Sequence, residues 1–215
     1  MGNNDILRTH GEALKLFGTR VHAVQEDQWE APTPCTEWSV FDLVNHLTAE
    51  QLWVPRLVRD GATIAEVDGD FDGDQLGEDP VGGWDRASAA ARAAFAEPGA
   101  LHRSVHLSYG TTPADAYCTQ LTADAVVHTW DLSRAIGADE RLPANLVAAA
   151  LREVEPYADV LEGSGLFAAP VEPPAAVRGG VSRCRGRYAV RRDPPRSRPG
   201  APGRSGPRLR DCGLP

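Results

Sequence analysis

The segment from residue 112 to residue 136 constrains the fold most, because its apolar residues recur every three or four positions, the spacing of one helical face. Pro113 favours the first turn of a helix, and Gly137 favours its end. One face of this predicted helix consists of Tyr117, Leu121, Asp124, Ala125, His128 and Leu132. Asp124 and His128 are polar residues on a face otherwise suited to a core. Both need partners, because an unpaired charge in an apolar environment is costly.

Four further segments are predicted to be helical, which makes the chain all-α. Ser39 is a predicted N-cap, with Asp42 at the third following position as a weak capping box. Residues 105–109 alternate between apolar and polar and are predicted to form an extended linker. The predicted helices span 6–24, 40–52, 84–96, 113–136 and 143–161. Helices of this length joined by modest loops favour an antiparallel helix bundle.

Charge is distributed unevenly along the chain. Residues 1–171 carry 11 basic and 27 acidic side chains, a balance of −16, whereas residues 172–215 carry 11 arginines and 3 acids, a balance of +8. An acidic folded region argues against nucleic acid or an anionic membrane surface as its partner and leaves small molecules and metal ions. No long apolar run and no basic region followed by an apolar stretch is found, so a cytoplasmic protein is predicted. The four cysteines form no CxxC pair, which predicts reduced thiols.

The composition divides the chain into a helical domain at 1–170 and a tail at 171–215 rich in Arg, Pro and Gly. The tail has no apolar periodicity and is predicted to be disordered, because it cannot bury enough surface to offset its ordering entropy. The abrupt change in composition favours a shifted reading frame in GC-rich DNA. The alternatives are an RNA-binding arm of the RGG type and an ordinary disordered tail.

Asp124 and His128 place a carboxylate oxygen and an imidazole nitrogen on successive turns of one helix. His46, on the second predicted helix, can supply a third ligand from across the bundle. Two histidines and one carboxylate leave coordination positions open, as in catalytic rather than structural metal sites. The alternative is a buried His128 that is satisfied without a metal by hydrogen bonds to Asp124 or Asp131. From spacing alone the two interpretations have similar weight.

Three blocks together resemble a known family: Trp-Ser-Val-Phe-Asp-Leu-Val-Asn-His-Leu (38–47), Leu-Ser-Tyr-Gly-Thr-Thr-Pro-Ala (107–114) and Leu-Thr-Ala-Asp-Ala-Val-Val-His-Thr-Trp-Asp-Leu (121–132). The chain resembles the actinobacterial metal-binding proteins of the DinB-like superfamily, in the branch that includes the metal-binding domain of mycothiol-dependent maleylpyruvate isomerase. The resemblance implies a DinB-like antiparallel four-helix bundle with an additional C-terminal helix. It also implies a divalent metal, with zinc expected, bound by His46, Asp124 and His128. In the isomerases the acidic ligand is usually Glu, whereas this chain has Asp124.

The resemblance implies mycothiol as a thiol cosubstrate. A cation with an open coordination position stabilises the thiolate of a bound small thiol, because it favours the charged form. That thiolate can add to an electrophilic double bond or displace a leaving group. We therefore predict a metal-dependent, mycothiol-utilising transferase or isomerase that acts on a small electrophilic substrate. The alternative is a non-catalytic module in which the metal only stabilises the helices.

Residues 68–79 form a second, weaker candidate site. They match the calcium-binding loop of an EF-hand, with Asp at positions 1, 3 and 5 and Gly at position 6. Gln75 replaces the apolar residue expected at position 8, and Pro80 would interrupt the helix that follows. A solvated acidic loop is the preferred interpretation.

Three residues near the predicted ligands have open roles. Glu50 lies one turn after His46 and can be a further ligand or a base. Asp131, three residues after His128, can accept a hydrogen bond that orients the imidazole. Cys35 can be a nucleophile, although packing in the core is the commoner role of such a cysteine.

Overall fold

The computed structural model describes residues 2–35, 37–67 and 69–157, and this part of the chain is mostly helical. The elements are α1 (Asn3–Val21), α2 (Val40–Val54), α3 (Ile64–Val67), α4 (Pro80–Phe95), β1 (Ser104–Leu107), β2 (Gly110–Pro113), α5 (Ala114–Ala135) and α6 (Ala144–Val154). Within these residues no helix combines the length and the apolarity needed to cross a membrane. The last part of the predicted fifth helix, 158–161, and the predicted disordered tail, 171–215, lie outside the described residues.

A two-stranded antiparallel hairpin stands where the sequence predicted an extended linker. Ser104 pairs with Pro113, and Leu107 pairs with Gly110. Gly110 has a φ of 141°, a conformation that favours glycine and lets the chain reverse after two residues. Val105 is fully buried, so one face of the hairpin packs on the helices. The all-α prediction is therefore corrected to a mostly helical fold with one small sheet.

α2 begins at the capping box that the sequence predicted. The Ser39 hydroxyl accepts a hydrogen bond from the Asp42 N–H at 3.2 Å, and the Asp42 carboxylate accepts one from the Ser39 N–H at 3.0 Å. These contacts satisfy backbone donors that the first turn of a helix leaves open. The cap fixes the start of α2 and thereby the position of His46 along the helix, about two turns further on.

Other helix starts also differ from the prediction: α1 begins at Asn3 rather than at residue 6, and the starts of α4 and α5 have local causes. α4 begins at Pro80 rather than at residue 84, because the Asp79 carboxylate accepts a hydrogen bond from the Gly82 N–H at 2.9 Å and proline fits the first helical turn. α5 begins at Ala114, since the two preceding residues belong to β2. Its predicted end is confirmed, with Gly137 in the left-handed conformation just beyond it.

The long helices pack in pairs around an apolar core. α1 packs against α4 and α5, and α2 packs against the same two helices. The side chains that fill the space between them include Phe17, Leu43, Leu47 and Leu132, all essentially inaccessible to solvent. Burial of each such side chain contributes roughly 1.5–3 kcal/mol to folding. This packing brings α2 and α5 together, and with them the polar residues that the sequence singled out.

Candidate metal centre

His46, Asp124 and His128 converge between α2 and α5. The His46 Nε2 lies 3.7 Å from Asp124 Oδ2, and the His128 Nε2 lies 3.3 Å from Asp124 Oδ1. One donor atom from each of the three residues lies within 4.8 Å of the other two. Two ligands bound at about 2.0–2.1 Å to a tetrahedral ion are roughly 3.4 Å apart. The spacing of these atoms therefore suits coordination of a single cation.

The three side chains are largely withdrawn from solvent. The side chains of His46, Asp124 and His128 are 8%, 17% and 8% exposed. The Oδ2 atom of Asp124 is buried and makes no hydrogen bond to the part of the chain that the structure describes. Because a buried carboxylate oxygen without a hydrogen bond is costly, a positive charge at this point would relieve the cost. The donor set and its burial therefore fit a divalent metal.

Electrostatics within the cluster couple the imidazoles to the carboxylate. Burial opposes protonation of His128, but the Asp124 carboxylate outweighs burial, and the pKa of His128 is raised well above its ordinary value. Burial likewise opposes ionisation of Asp124, but His128 and His46 outweigh it and lower the pKa of that carboxyl. Without a cation the cluster therefore holds an imidazolium beside a carboxylate. A metal bound by the Nε2 atom of His128 would replace that proton.

Asp131 holds the other nitrogen of His128. The Nδ1–H of His128 donates to Asp131 Oδ2 at 2.9 Å, and both side chains are buried. The hydrogen bond to His128 that the spacing of Asp131 predicted is thus present. No sequence pattern connects Cys35 with this pair. Its Sγ lies 3.5 Å from the same Asp131 oxygen and 3.8 Å from His128 Nδ1.

The indole of Trp38 closes one side of the cluster. Its ring centroid lies 4.9 Å from that of His46 and 6.0 Å from that of His128. Trp38 is 7% exposed, so the apolar ring separates the two imidazoles from water on this side. A low-dielectric wall of this kind strengthens electrostatic interactions inside the cluster.

Glu50 does not join the three converging residues, although it lies one turn after His46 on α2. Burial, reinforced by the negative charge of Asp124, raises the pKa of Glu50 to about 8. Glu50 therefore carries a proton at neutral pH in the absence of a cation. Its ionisation is therefore coupled to the charges of Asp124 and His128.

The acidic loop does not assemble a calcium site among its described residues. Asp70 pairs with Arg56 at 2.9 Å, and the Asp74 carboxylate accepts hydrogen bonds from the N–H groups of Leu76 and Gly77. Asp68, the first residue of the EF-hand match, lies outside the described residues. These local contacts agree with the preferred interpretation of an acidic loop.

The mostly helical fold and the cluster of two histidines and an aspartate place this chain among helical proteins that have a candidate metal site between their helices. Residues 11–133 match the family described as the mycothiol maleylpyruvate isomerase N-terminal domain. This match covers more than half of the chain, so the chain belongs to that family. The resemblance stated from the three sequence blocks is thereby confirmed.

Similar proteins include both uncharacterised relatives and solved structures. Two uncharacterised proteins of Mycobacterium tuberculosis, from strains CDC 1551 / Oshkosh and H37Rv, are each 31% identical over 156 residues, covering 71% of this chain and 81% of theirs. The crystal structure of mycothiol-dependent maleylpyruvate isomerase superposes with a TM-score of 0.56 at 14% identity, covering 72% of this chain and 68% of that chain. A histidine-to-alanine mutant of the isomerase gives a TM-score of 0.57 at 13% identity, with the same coverage. At such low identity the structures establish the shared fold.

Proposed function

We propose that this protein binds one divalent cation, with zinc the expected ion, through His46, Asp124 and His128. The observation that carries the proposal is the convergence of two imidazole nitrogens on a buried carboxylate, one oxygen of which makes no hydrogen bond within the described residues. We also propose that α1, α2, α4 and α5 form the antiparallel four-helix bundle of the DinB-like fold. In such a bundle, ligands from facing helices meet in the core.

The proposed activity is that of a metal-dependent, mycothiol-utilising transferase or isomerase acting on a small electrophile. Membership of the isomerase family supports it. A donor set of three protein ligands also supports it, because a catalytic zinc keeps an open position. When bound, the cation would favour the thiolate form of a small thiol. Mycothiol and the electrophile are therefore the proposed small-molecule partners.

The residues around the cluster have separable roles in this proposal. Asp131 keeps the His128 ring oriented through its 2.9 Å hydrogen bond. Trp38 excludes water from one side of the imidazoles. Glu50 holds a proton at neutral pH when no cation is bound, and its proposed role is to exchange that proton with a reacting group near α2.

Elemental analysis of purified protein tests metal binding directly. Wild type should contain close to one equivalent of metal, and His46→Ala, Asp124→Ala and His128→Ala should each lose most of it. His22→Ala is the matched control, because His22 is an exposed histidine that pairs with Asp85 at 3.0 Å. Absence of metal in wild type, or an unchanged content in His128→Ala, would contradict the proposal.

An assay with mycothiol and a small electrophile separates the catalytic proposal from a non-catalytic module. A transferase should consume mycothiol as it forms an adduct, whereas an isomerase should convert the electrophile and leave the mycothiol concentration unchanged, because the thiol adds and is then eliminated. Prior removal of the metal should abolish either reaction. Bound metal with neither thiol consumption nor mycothiol-dependent isomerisation would favour the alternative, in which the metal only stabilises the helices.

A further inference from the structure

The thiol of Cys35 reaches the same carboxylate oxygen that orients His128. Cys35 precedes α2 and is 6% exposed, and its Sγ lies 3.5 Å from Asp131 Oδ2. The thiol is a weak donor and an ionised carboxylate accepts only, so the S–H points to the oxygen. Asp131 Oδ2 therefore accepts two hydrogen bonds, one from the His128 Nδ1–H and one from Cys35.

The local chain before α2 fixes Cys35 and Trp38 together. The Thr33 hydroxyl accepts a hydrogen bond from the Cys35 N–H at 3.1 Å and donates to the Trp38 carbonyl at 3.0 Å. The Trp38 N–H in turn donates to the Cys35 carbonyl at 3.1 Å. Glu37 adopts a φ of 71°, which is costly for a residue other than glycine. The side chains of Cys35 and Trp38 both lie against the cluster.

The tautomer of His128 depends on this arrangement. When a cation displaces the proton from Nε2, the proton that stays on Nδ1, held by Asp131, leaves the lone pair of Nε2 for that cation on the side of Asp124. If the Asp131 carboxylate rotated away, the His128 ring could turn and its Nδ1 would no longer be held as the protonated nitrogen. The Cys35 S–H restrains that carboxylate through its contact with Oδ2.

We propose that Cys35 is a positioning residue of the metal centre, whose thiol anchors Asp131 so that His128 presents Nε2 toward Asp124. The inference rests on the proposed function and deepens it. An alternative use of Cys35, Asp131 and His128 Nδ1 as a second donor set is disfavoured by geometry. The Nδ1 and Oδ2 atoms are 2.9 Å apart, the distance of a direct hydrogen bond rather than that expected for two ligands of a tetrahedral ion.

Chelator competition for zinc tests the inference with four variants. Asp131→Asn should weaken zinc binding about 10–100-fold, the usual effect of losing the partner of a metal-bound histidine. Cys35→Ala should weaken it by a smaller factor, about fivefold, because only a neutral donor is lost. Cys35→Ser should stay within about twofold of wild type, since a hydroxyl donates the same hydrogen bond. Cys118→Ala is the control, because Cys118 is the other buried free thiol among the described residues and packs in a separate part of the core.

Each outcome supports or overturns the inference. Unchanged affinity in Cys35→Ala would overturn it, and so would an effect in Cys35→Ser as large as in Cys35→Ala, which would instead indicate a thiolate ligand. An equal loss of affinity in Cys118→Ala would indicate a general loss of packing and would also overturn it. If wild type binds no zinc, the proposed function fails. The positioning role is then judged by the exchange rate of the His128 Nδ1 proton in NMR spectra, which Cys35→Ala should increase and Cys35→Ser should not.

Discussion

Glu50→Gln is expected to stabilise the metal-free protein at pH 9 and to leave its stability nearly unchanged at pH 4. Burial, together with the charge of Asp124, raises the pKa of Glu50 from 4.5 to about 8 in the folded protein. Between pH 4.5 and about pH 8 the folded state therefore keeps a proton on Glu50, whereas the unfolded state has lost it. The stability associated with protonated Glu50 is fully present below pH 4.5 and is lost as the pH rises through about 8. Glutamine keeps the size and polarity of the protonated acid and cannot ionise.

The magnitude follows from the two pKa values. A tenfold change in a dissociation constant corresponds to about 1.4 kcal/mol, so a rise from 4.5 to about 8 sets an upper limit of about 5 kcal/mol above pH 8. Glu50 keeps partial exposure to solvent, which reduces the cost of its ionisation. We therefore expect Glu50→Gln to raise the free energy of unfolding at pH 9 by about 2–3 kcal/mol.

Urea denaturation in the presence of a chelator, at pH 4 and at pH 9, measures the difference. Glu78→Gln serves as the control, because Glu78 is an exposed glutamate of the acidic loop and its replacement removes the same charge. An equal gain in Glu78→Gln would indicate a general charge effect, and no gain in Glu50→Gln at pH 9 would refute the reasoning. Saturating zinc should shrink the gain, because a cation beside Asp124 stabilises ionised Glu50.

Three further predictions concern the cluster and the helices that carry it. Zinc affinity should rise by up to about tenfold for each pH unit below the raised pKa of His128, because zinc binding displaces the proton on this residue. Chelator competition at several pH values measures this dependence, and an affinity that does not change with pH would contradict the prediction. Ser39→Ala should lower the free energy of unfolding by about 1 kcal/mol through loss of the α2 cap, with a smaller loss in urea denaturation counting against it. Gly18→Ala should lower the free energy of unfolding by about 1–3 kcal/mol, because an added Cβ would lie 2.9 Å from the Trp84 indole nitrogen, and a neutral result would mean that the ring moves freely.

Local sequence signals predicted the parts of the fold that local interactions determine. The Ser39 cap depends on a residue three positions away, and the shared face of Asp124 and His128 follows from helical periodicity alone. The hairpin was missed because its turn residues, Ser108 and Tyr109, are not the Asn-Gly or Asp-Gly pair that usually marks a two-residue turn. Its buried residue Val105 packs in the core with residues that are distant in sequence, and short-range patterns do not report such contacts.

The candidate site could be predicted only in part for the same reason. His46 was singled out because it lies on a second helix that a bundle would bring to face the first, and the block around it resembles a family. The sequence predicts a nucleophile or a core residue at Cys35 but not its contacts, which are with residues 93 and 96 positions further along the chain. No spacing rule connects a turn before one helix with the middle of another.

The summed charge of the two carboxylates of α5, Asp124 and Asp131, favours a divalent ion at the proposed site. The helical period places Asp124 one turn before His128 and Asp131 nearly one turn after it, so that one imidazole contacts a carboxylate through each nitrogen. Two buried carboxylates with two neutral imidazoles carry a charge of −2, and protonation of His128 offsets only half of it. A divalent cation offsets it completely and leaves the His128 Nδ1 proton with Asp131. Replacement of Asp131 by asparagine removes one of these charges, so it should weaken binding of a divalent ion beyond what loss of ring orientation alone would cause.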